Sequence, residues 1–216
     1  MAEPTVGANV VIYPGTVIGE GVRIGDNAVV GKQPALGRSS TARREPLDPL
    51  VIGDGVTIST GAVVSAGVTL GAGSVVGDLA SIRERVTVGE GSVVGRGVCV
   101  ENDTVIGARC GIQSNAYITA YCLLEDDVFV APCVVTTNDN FMGRTEARLQ
   151  VMRGCTLRRG ARIGGGATLL PGIEVGEEAF VGAGAVVLRD VPARQLWVGN
   201  PARYLRDVPG AELLDA

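Results

Sequence analysis

The chain has 216 residues, of which 46% are hydrophobic but only 4% aromatic, and its formal net charge is −4. This composition excludes a wide core built on large rings, and the charge offers no general attraction for nucleic acid. No uninterrupted apolar run approaches the length of a bilayer-spanning helix, and the first residues carry no basic and apolar export signal. We therefore expect a cytoplasmic protein with a thin aliphatic core, no nucleic-acid partner and no membrane partner.

An aliphatic residue recurs every six positions through most of the chain. This six-residue step covers residues 6–30, 52–130 and 151–187, and a small or compact side chain lies four residues after each aliphatic marker. A six-residue step does not keep one face of an α-helix, and most markers are β-branched, which favours short strands. Gly, Asp, Asn or Glu after the markers suit sharp corners. The pattern predicts an all-β fold, a parallel β-helix in which three hexads form one triangular coil.

Two segments leave the six-residue step and are predicted to form extruded loops, residues 32–49 and residues 137–150. The β-helix should span residues 1–191. Residues 192–216 form a C-terminal segment in which Asn200 is a plausible N-cap and Pro201 a plausible first residue of a short helix.

The five cysteines show no paired spacing of the kind that metal sites use. Cys110, Cys122 and Cys155 fall on the small inward position of their hexads, so we interpret them as reduced packing residues. We expect no metal.

Residues 144–162 contain six arginines and a single carboxylate, Glu146. This segment could hold a phosphate-bearing ligand. An ordinary solvated surface, whose arginines pair with carboxylates elsewhere in the fold, explains the same pattern.

The last repeats carry a more specific pattern. Residues 181–187, VGAGAVV, followed by residues 198–203, VGNPAR, resemble the acyl-coenzyme A end of the hexapeptide-repeat acyltransferases. That resemblance implies a left-handed β-helix, a homotrimer and acetyl-coenzyme A as co-substrate. It also implies a set of cofactor-binding residues: Gly165, Ala183, Gly184, Arg189, Asn200 and Arg203.

Most relatives in that family that acylate hydroxyl groups use a histidine base, and this chain contains no histidine. An amine needs less activation than a hydroxyl group, so the composition favours an amine acceptor. Residues 113–115, QSN, and 128–139 resemble the N-acetyltransferases that act on nucleotide-linked amino sugars. The resemblance implies that Asn115 orients the amine. We take Asp139 as the candidate proton acceptor.

The same resemblance implies a substrate pocket lined by Gln113, Asn138 and Arg144. Asn115 has a purely structural interpretation as well, because asparagine tolerates the left-handed corner conformation. A non-catalytic scaffold subunit and an O-acyltransferase without a histidine base remain alternatives. A γ-type carbonic anhydrase, which needs three histidines, is excluded by composition, and the intact residues 200–203 favour the enzyme over the scaffold.

Overall fold

The computed structural model describes residues 2–214, which form 28 short strands, one four-residue helix and one short 3₁₀ turn. The strands are β1 Thr5–Val6, β2 Val11–Ile12, β3 Val17–Ile18, β4 Arg23–Ile24, β5 Val29–Lys32, β6 Val51–Ile52, β7 Thr57–Ile58, β8 Val63–Ser65, β9 Thr69–Leu70, β10 Val75–Val76, β11 Ser81–Ile82, β12 Thr87–Val88, β13 Val93–Val94, β14 Cys99–Val100, β15 Val105–Ile106, β16 Gly111–Ile112, β17 Tyr117–Ile118, β18 Leu123–Leu124, β19 Phe129–Val130, β20 Val135–Thr136, β21 Thr156–Leu157, β22 Arg162–Ile163, β23 Thr168–Leu169, β24 Glu174–Val175, β25 Phe180–Val181, β26 Val186–Val187, β27 Gln195–Val198 and β28 Arg203–Asp207. Helix α1 is Arg148–Val151, and the 3₁₀ turn is Gly210–Glu212.

Successive strands belong in turn to three sheets, which are the three faces of a prism. The first sheet runs from β1 through every third strand to β25 and then β27 and β28, the second from β2 to β26 and the third from β3 to β24. Strands in neighbouring coils pair in parallel, and the usual register joins residues eighteen apart, as in Ser81 with Cys99. The predicted coil of three hexads is confirmed.

The core is a stack of aliphatic markers along the prism axis. From Ile52 to Val130 every marker is at most 1% exposed, and burying each such side chain contributes about 1.5 to 3 kcal/mol. The pattern fails at two places. Val6 and Ile12 of the first coil are 46% and 40% exposed, because no described coil covers that end. Val151 is 56% exposed at the end of α1, and the six-residue step resumes at Leu157.

Both predicted loops leave the prism from the same edge. Residues 32–49 connect the second sheet to the third between β5 and β6, and residues 137–155 make the same connection between β20 and β21. We call this corner, between the second and third sheets, the loop edge. We call the corner between the first and second sheets the regular edge, because no insertion interrupts it.

The C-terminal helix prediction is wrong. Residues 200–202 form a turn with a cis peptide bond before Pro201, and β28 then pairs antiparallel with β27 at the end of the first sheet. Asn200 therefore caps no helix. The hairpin places Leu196 and Trp197, each 7% exposed, at that end of the core, so strand pairing outweighs the local capping signal.

Within residues 2–214, no helix has both the length and the apolar character that a membrane crossing requires.

Candidate active site

The two loops contact each other along the loop edge. The Thr41 hydroxyl of the first loop lies 4.0 Å from the Met152 sulfur at the end of the second. Ala42 is 7% exposed, and the guanidinium of Arg43 pairs with Asp103 on the prism corner. The first loop is thus folded back along the edge from its origin after β5 toward the second loop.

Two connected spaces lie beneath these loops. The smaller one, which we call the inner cavity, has a volume of about 220 Å³, and the larger one, the outer cleft, of about 730 Å³. They share Ser40, Thr41, Arg148 and Met152. The inner cavity is also lined by Ala42, Arg83, Glu101, Asn102, Tyr117, Thr119, Ala120, Asn138 and Asp139. Most of these side chains are polar, so the inner cavity suits a ligand with several hydrogen-bonding groups.

A ladder of charged residues forms the floor of the inner cavity. Arg83 donates two hydrogen bonds to Glu84, Nη2 to Oε1 at 2.8 Å and Nε to Oε2 at 3.1 Å. Its third contact, Nη1 to Oε2 of Glu101 at 2.9 Å, crosses to the next coil. The Glu84 side chain is 0% exposed and that of Glu101 is 24% exposed. A fully buried carboxylate thus fixes Arg83, and Arg83 fixes Glu101.

Asp103 forms the anchor that holds the first loop. Arg85 donates Nε to Oδ1 at 2.8 Å and Nη2 to Oδ2 at 2.9 Å, while Asn102 donates Nδ2 to Oδ2 at 2.6 Å. Burial acts to raise the pKa of Asp103, but the hydrogen bonds from Arg85, Asn102 and Arg43 prevail and hold this pKa well below its usual range. Asp103 is therefore a permanent carboxylate near neutral pH, and Arg43 binds to it.

The structure places the predicted residues Asn138 and Asp139 in the wall of the inner cavity. Asp139 is the start of the loop turn, because its carboxylate accepts the N–H groups of Phe141 and Gly143, each at 2.8 Å, and pairs with Arg148 at 3.3 Å. The two N–H groups, and then Arg148, lower the pKa of Asp139. A carboxylate so occupied is a poor proton acceptor, so the geometry argues against the role predicted for Asp139.

Asn115 and Gln113 lie on the regular edge, across the second sheet from the loop edge. The chain crosses the second sheet from Asn115 to the next corner at Thr119. Four residues at about 3.3 Å each separate the two edges by roughly 13 Å. The resemblance implied one pocket lined by Gln113 and Asn138, but within one protomer these two residues lie on different edges. Asn115 is exposed with φ of 61°, a backbone conformation shared by Cys133 one coil on. Its carboxamide makes no hydrogen bond to residues 2–214.

Most of the predicted cofactor residues continue the regular edge below Asn115. Gly184 N–H donates to the carbonyl of Gly165 at 2.9 Å, which stacks their corners directly. The turn at residues 199–202 joins the same end of the second sheet, because Val186 N–H donates to Gly199 and Ala202 N–H to Val186. Ala183, Gly184, Asn200 and Arg203 are all exposed there. The structure thus brings these residues into one stretch of the prism surface.

Two arginines at that end have local contacts. Arg203 is exposed in β28 and donates Nη1 to the carbonyl of Ala202 at 2.8 Å. Because Arg203 lies in a strand and not in the predicted helix, no free N–H groups of a helix terminus lie beside it. The guanidinium of Arg189 lies 5.1 Å from the ring centroid of Trp197, so it stacks on the end of the core.

The basic segment is mostly an ion-paired surface. Arg148 pairs with Asp139, Arg158 with Glu125 and Glu174, Arg159 with Asp127 and Glu177, and Arg162 with Glu212. Arg144 is exposed at the loop tip and lines neither the inner cavity nor the outer cleft. Of the two interpretations of this segment, the ion-paired surface fits four of its arginines.

Sequence reasoning missed Glu101, Asn102 and Tyr117, although a signal was available. The residue directly after a marker is glycine at many corners, because an added Cβ would meet the next coil, as at Gly89, where backbone atoms lie 2.4 Å away. Along the loop edge this position holds glycine at Gly31, just before the first loop, but the five corners that follow hold Ser65, Arg83, Glu101, Thr119 and Thr137.

Within residues 2–214, no group of three or more His, Cys, Asp or Glu side chains is arranged to hold a metal ion.

Two family models match the chain. The model of the bacterial transferase hexapeptide, six repeats, matches residues 2–32, and the hexapeptide repeat of succinyl-transferase matches residues 159–189. The matched segments lie at opposite ends of the prism, which agrees with the continuous repeat between them.

The curated relatives include enzymes with different acceptors. A serine acetyltransferase of Buchnera aphidicola is 44% identical over 62 residues, 29% of this chain and 23% of the relative. The dTDP-3-amino-3,6-dideoxy-α-D-galactopyranose 3-N-acetyltransferase of Aneurinibacillus thermoaerophilus is 49% identical over 47 residues, 22% of this chain and 24% of the relative. The chain spans less than half the length of the curated relatives it matches.

Among solved structures, the UDP-N-acetylglucosamine acyltransferase of Bacteroides fragilis superposes with a TM-score of 0.70 at 17% identity, covering 91% of this chain and 72% of the other. This likeness concerns the fold, which matches a left-handed parallel β-helix. The repeats, the three-sided winding and the two family matches identify the chain as a left-handed β-helix of hexapeptide repeats, with residues 2–32 and 159–189 similar to the repeats of bacterial transferases.

Proposed function

We propose that the protein is an acyl-coenzyme A-dependent N-acyltransferase that transfers an acetyl group to an amine of a nucleotide-linked amino sugar. The observation that carries this proposal is the inner cavity, a small polar space lined by both loops on an otherwise regular prism. The absence of histidine from the whole sequence favours an amine over a hydroxyl acceptor. The name of the Aneurinibacillus relative, an amino-sugar N-acetyltransferase, supports the same acceptor class.

In this proposal the co-substrate acetyl-coenzyme A lies along the regular edge. Gly184 has φ of 67° and no side chain, which permits close approach of the pantetheine arm to the backbone. Arg203 approaches a phosphate of the adenosine end, and the exposed turn before it offers further polar groups. The acceptor occupies the inner cavity, and its nucleotide extends into the outer cleft past Arg148 and Arg38.

We further propose that the protein acts as a homotrimer. Within one protomer the regular edge and the loop edge are separated by the width of the second sheet, so the coenzyme and the acceptor need a neighbouring copy to meet. Asn115 of one protomer would then face the acceptor held under the loops of the next. Light scattering should give three times the mass of the chain, and a fully active monomer would reject this arrangement.

Chemistry in such a site is direct attack of the free amine on the thioester. The protein supplies proximity and orientation, and backbone N–H groups stabilise the thioester oxygen as charge develops. The pH profile should show no limb near the ordinary histidine value of about 6.5, since the chain has no histidine.

The test is an assay with acetyl-coenzyme A and paired acceptors, each amino sugar with its hydroxy counterpart, both free and nucleotide-linked. We expect release of free coenzyme A thiol with the amino member only. Preferential acylation of the hydroxy member would favour the O-acyltransferase alternative. No turnover with any acceptor would favour the scaffold alternative.

A further inference from the structure

We infer that Glu101 binds the ammonium group of the acceptor in the inner cavity and accepts its proton as the acyl group is transferred. This inference rests on the proposed function and adds a catalytic residue to it. The sequence analysis offered Asp139 as the proton acceptor in place of histidine, but the loop turn holds its carboxylate.

Glu101 has the geometry of an oriented base. One carboxylate oxygen, Oε2, accepts a hydrogen bond from Arg83 at 2.9 Å, and Arg83 is itself fixed by the buried Glu84. The other oxygen, Oε1, accepts no hydrogen bond from residues 2–214, and the side chain lines the inner cavity. The carboxylate is therefore rigid on one side and available to a ligand on the other.

Asn102 provides a second acceptor next to Glu101. Its side chain is buried, with the residue only 5% exposed, and it lines the same cavity. Because Asp103 stays a carboxylate, which can only accept, Asn102 must present its NH₂ group to Asp103, and it does so at 2.6 Å. Its carbonyl oxygen then has no hydrogen-bond partner among residues 2–214. An ammonium group, which only donates, matches two free acceptor oxygens.

The charged side chains that line the inner cavity balance one another. The carboxylates of Glu101 and Asp139 face the guanidinium groups of Arg83 and Arg148, while the buried Glu84 contacts both Arg83 and Arg85. Tyr117 adds no negative charge, because burial and the nearby Glu101 carboxylate raise the pKa of its phenol. The preference for an ammonium group therefore rests on the two free acceptor oxygens of Glu101 and Asn102.

Proton transfer to Glu101 precedes acyl transfer. The ammonium group gives one proton to Oε1 of Glu101, and the nitrogen lone pair attacks the thioester carbon. The C–N bond forms, the C–S bond breaks, and the departing coenzyme A thiolate takes the second proton from nitrogen. Glu101 then releases its proton to solvent, so the products are the amide, free coenzyme A and one proton.

Binding tests the ammonium site directly. Calorimetry would compare glucosamine with glucose, galactosamine with galactose, and the dTDP-linked 3-amino sugar with its 3-hydroxy counterpart. Glu101→Gln keeps the shape but removes the charge, so it should weaken binding of the amino members about tenfold and leave the hydroxy members unchanged. Asp127→Asn is the matched control, since it removes a carboxylate paired with Arg109 outside both cavities. No Glu101-dependent preference for the amine across these pairs would overturn the inference.

Kinetics test proton transfer. Glu101→Gln should lower kcat/KM about 10²-fold with an amine acceptor, and Glu101→Asp should recover part of this loss. Acyl transfer that is indifferent to Glu101→Gln would reject the catalytic role and leave the proposed function intact. The opposite result, Glu101-dependent amine binding without any acyl transfer, would reject the proposed function and retain the ammonium site.

Discussion

The two edges of the second sheet have the same repeat but carry different chemistry. Along the regular edge the corners stack without insertion, and residues such as Gly165 and Gly184 touch through backbone hydrogen bonds. At the middle corners of the loop edge, charged and polar side chains such as Arg83 and Glu101 replace the corner glycines, and two loops cover them. Most backbone N–H and C=O groups of the repeats bond to neighbouring coils. Ligand specificity therefore depends on side chains and insertions. Under the proposed function, specificity for the acceptor lies at the loop edge.

The largest expected effect concerns the anchor of the first loop. Asp103→Asn removes a mostly buried carboxylate that pairs with Arg85 and Arg43, and we expect it to lower the free energy of unfolding by about 3 kcal/mol. Hydrogen exchange of residues 38–43 should accelerate, because Arg43 loses its partner. Chemical denaturation and exchange mass spectrometry measure both effects.

Asp127→Asn is the control for this anchor. Arg109 binds Asp127 with the same two contacts, at 2.7 and 2.9 Å, on a corner that carries no loop, and Arg109 is 59% exposed. The control should cost less stability and leave exchange of the first loop unchanged. Equal effects of the two substitutions on that loop would contradict a specific anchor.

The anchor also predicts a pH dependence. A carboxyl group whose pKa is lowered on folding stabilises the folded state above its unfolded pKa, about 3.9 for aspartate, and loses this contribution as pH falls through the folded value. Since the pKa of Asp103 is lowered, the stability difference between wild type and Asp103→Asn should be complete at pH 7 and shrink only below about pH 4. A difference that disappears already at pH 6 would contradict the assignment.

The next effect concerns the coenzyme end of the regular edge. Arg203→Ala removes an exposed guanidinium, and loss of a charge-assisted phosphate contact of about 2 kcal/mol should weaken coenzyme A binding roughly 30-fold. Arg206→Ala, three residues beyond Arg203 in the same strand, is the control. Calorimetry with unchanged affinity in Arg203→Ala would remove Arg203 from the coenzyme site.

Substitution of Asn115 tests whether this residue serves only the turn or also the reaction. Glycine adopts positive φ readily, so Asn115→Gly should change the free energy of unfolding by only a few tenths of a kcal/mol. If the carboxamide orients the amine, kcat should fall about tenfold while coenzyme A affinity stays constant. Unchanged turnover would leave Asn115 with its structural role alone.

The smallest effect concerns Asn138 in the inner cavity. Its carboxamide makes no hydrogen bond to the described residues, so Asn138→Ala should cost one neutral hydrogen bond to the acceptor, about 1 kcal/mol, and raise its KM about fivefold. Asn140→Ala, exposed two residues further along the loop, should leave KM unchanged. The same shift in both variants would indicate a general effect on the loop.

The sequence was sufficient for the architecture, because each hexad buries its own marker and pairs only with the hexad eighteen residues away. It was insufficient where distant segments compete. Asn200 and Pro201 carried a helix signal, but β28 instead pairs with β27. Nothing local indicated that both loops leave from one edge, or that Glu101 lies under a loop that starts some 70 residues earlier. The inner cavity depends on contacts such as Thr41 with Met152, which have no local sequence signature.

The central claim is that an amine acceptor binds at the loop edge. The most direct measurement is a crystal structure with coenzyme A and a dTDP-linked amino sugar bound together. The account predicts the sugar in the inner cavity, with its nitrogen within hydrogen-bonding distance of Glu101 and Asn102. A sugar bound elsewhere, with the inner cavity empty, would contradict the account.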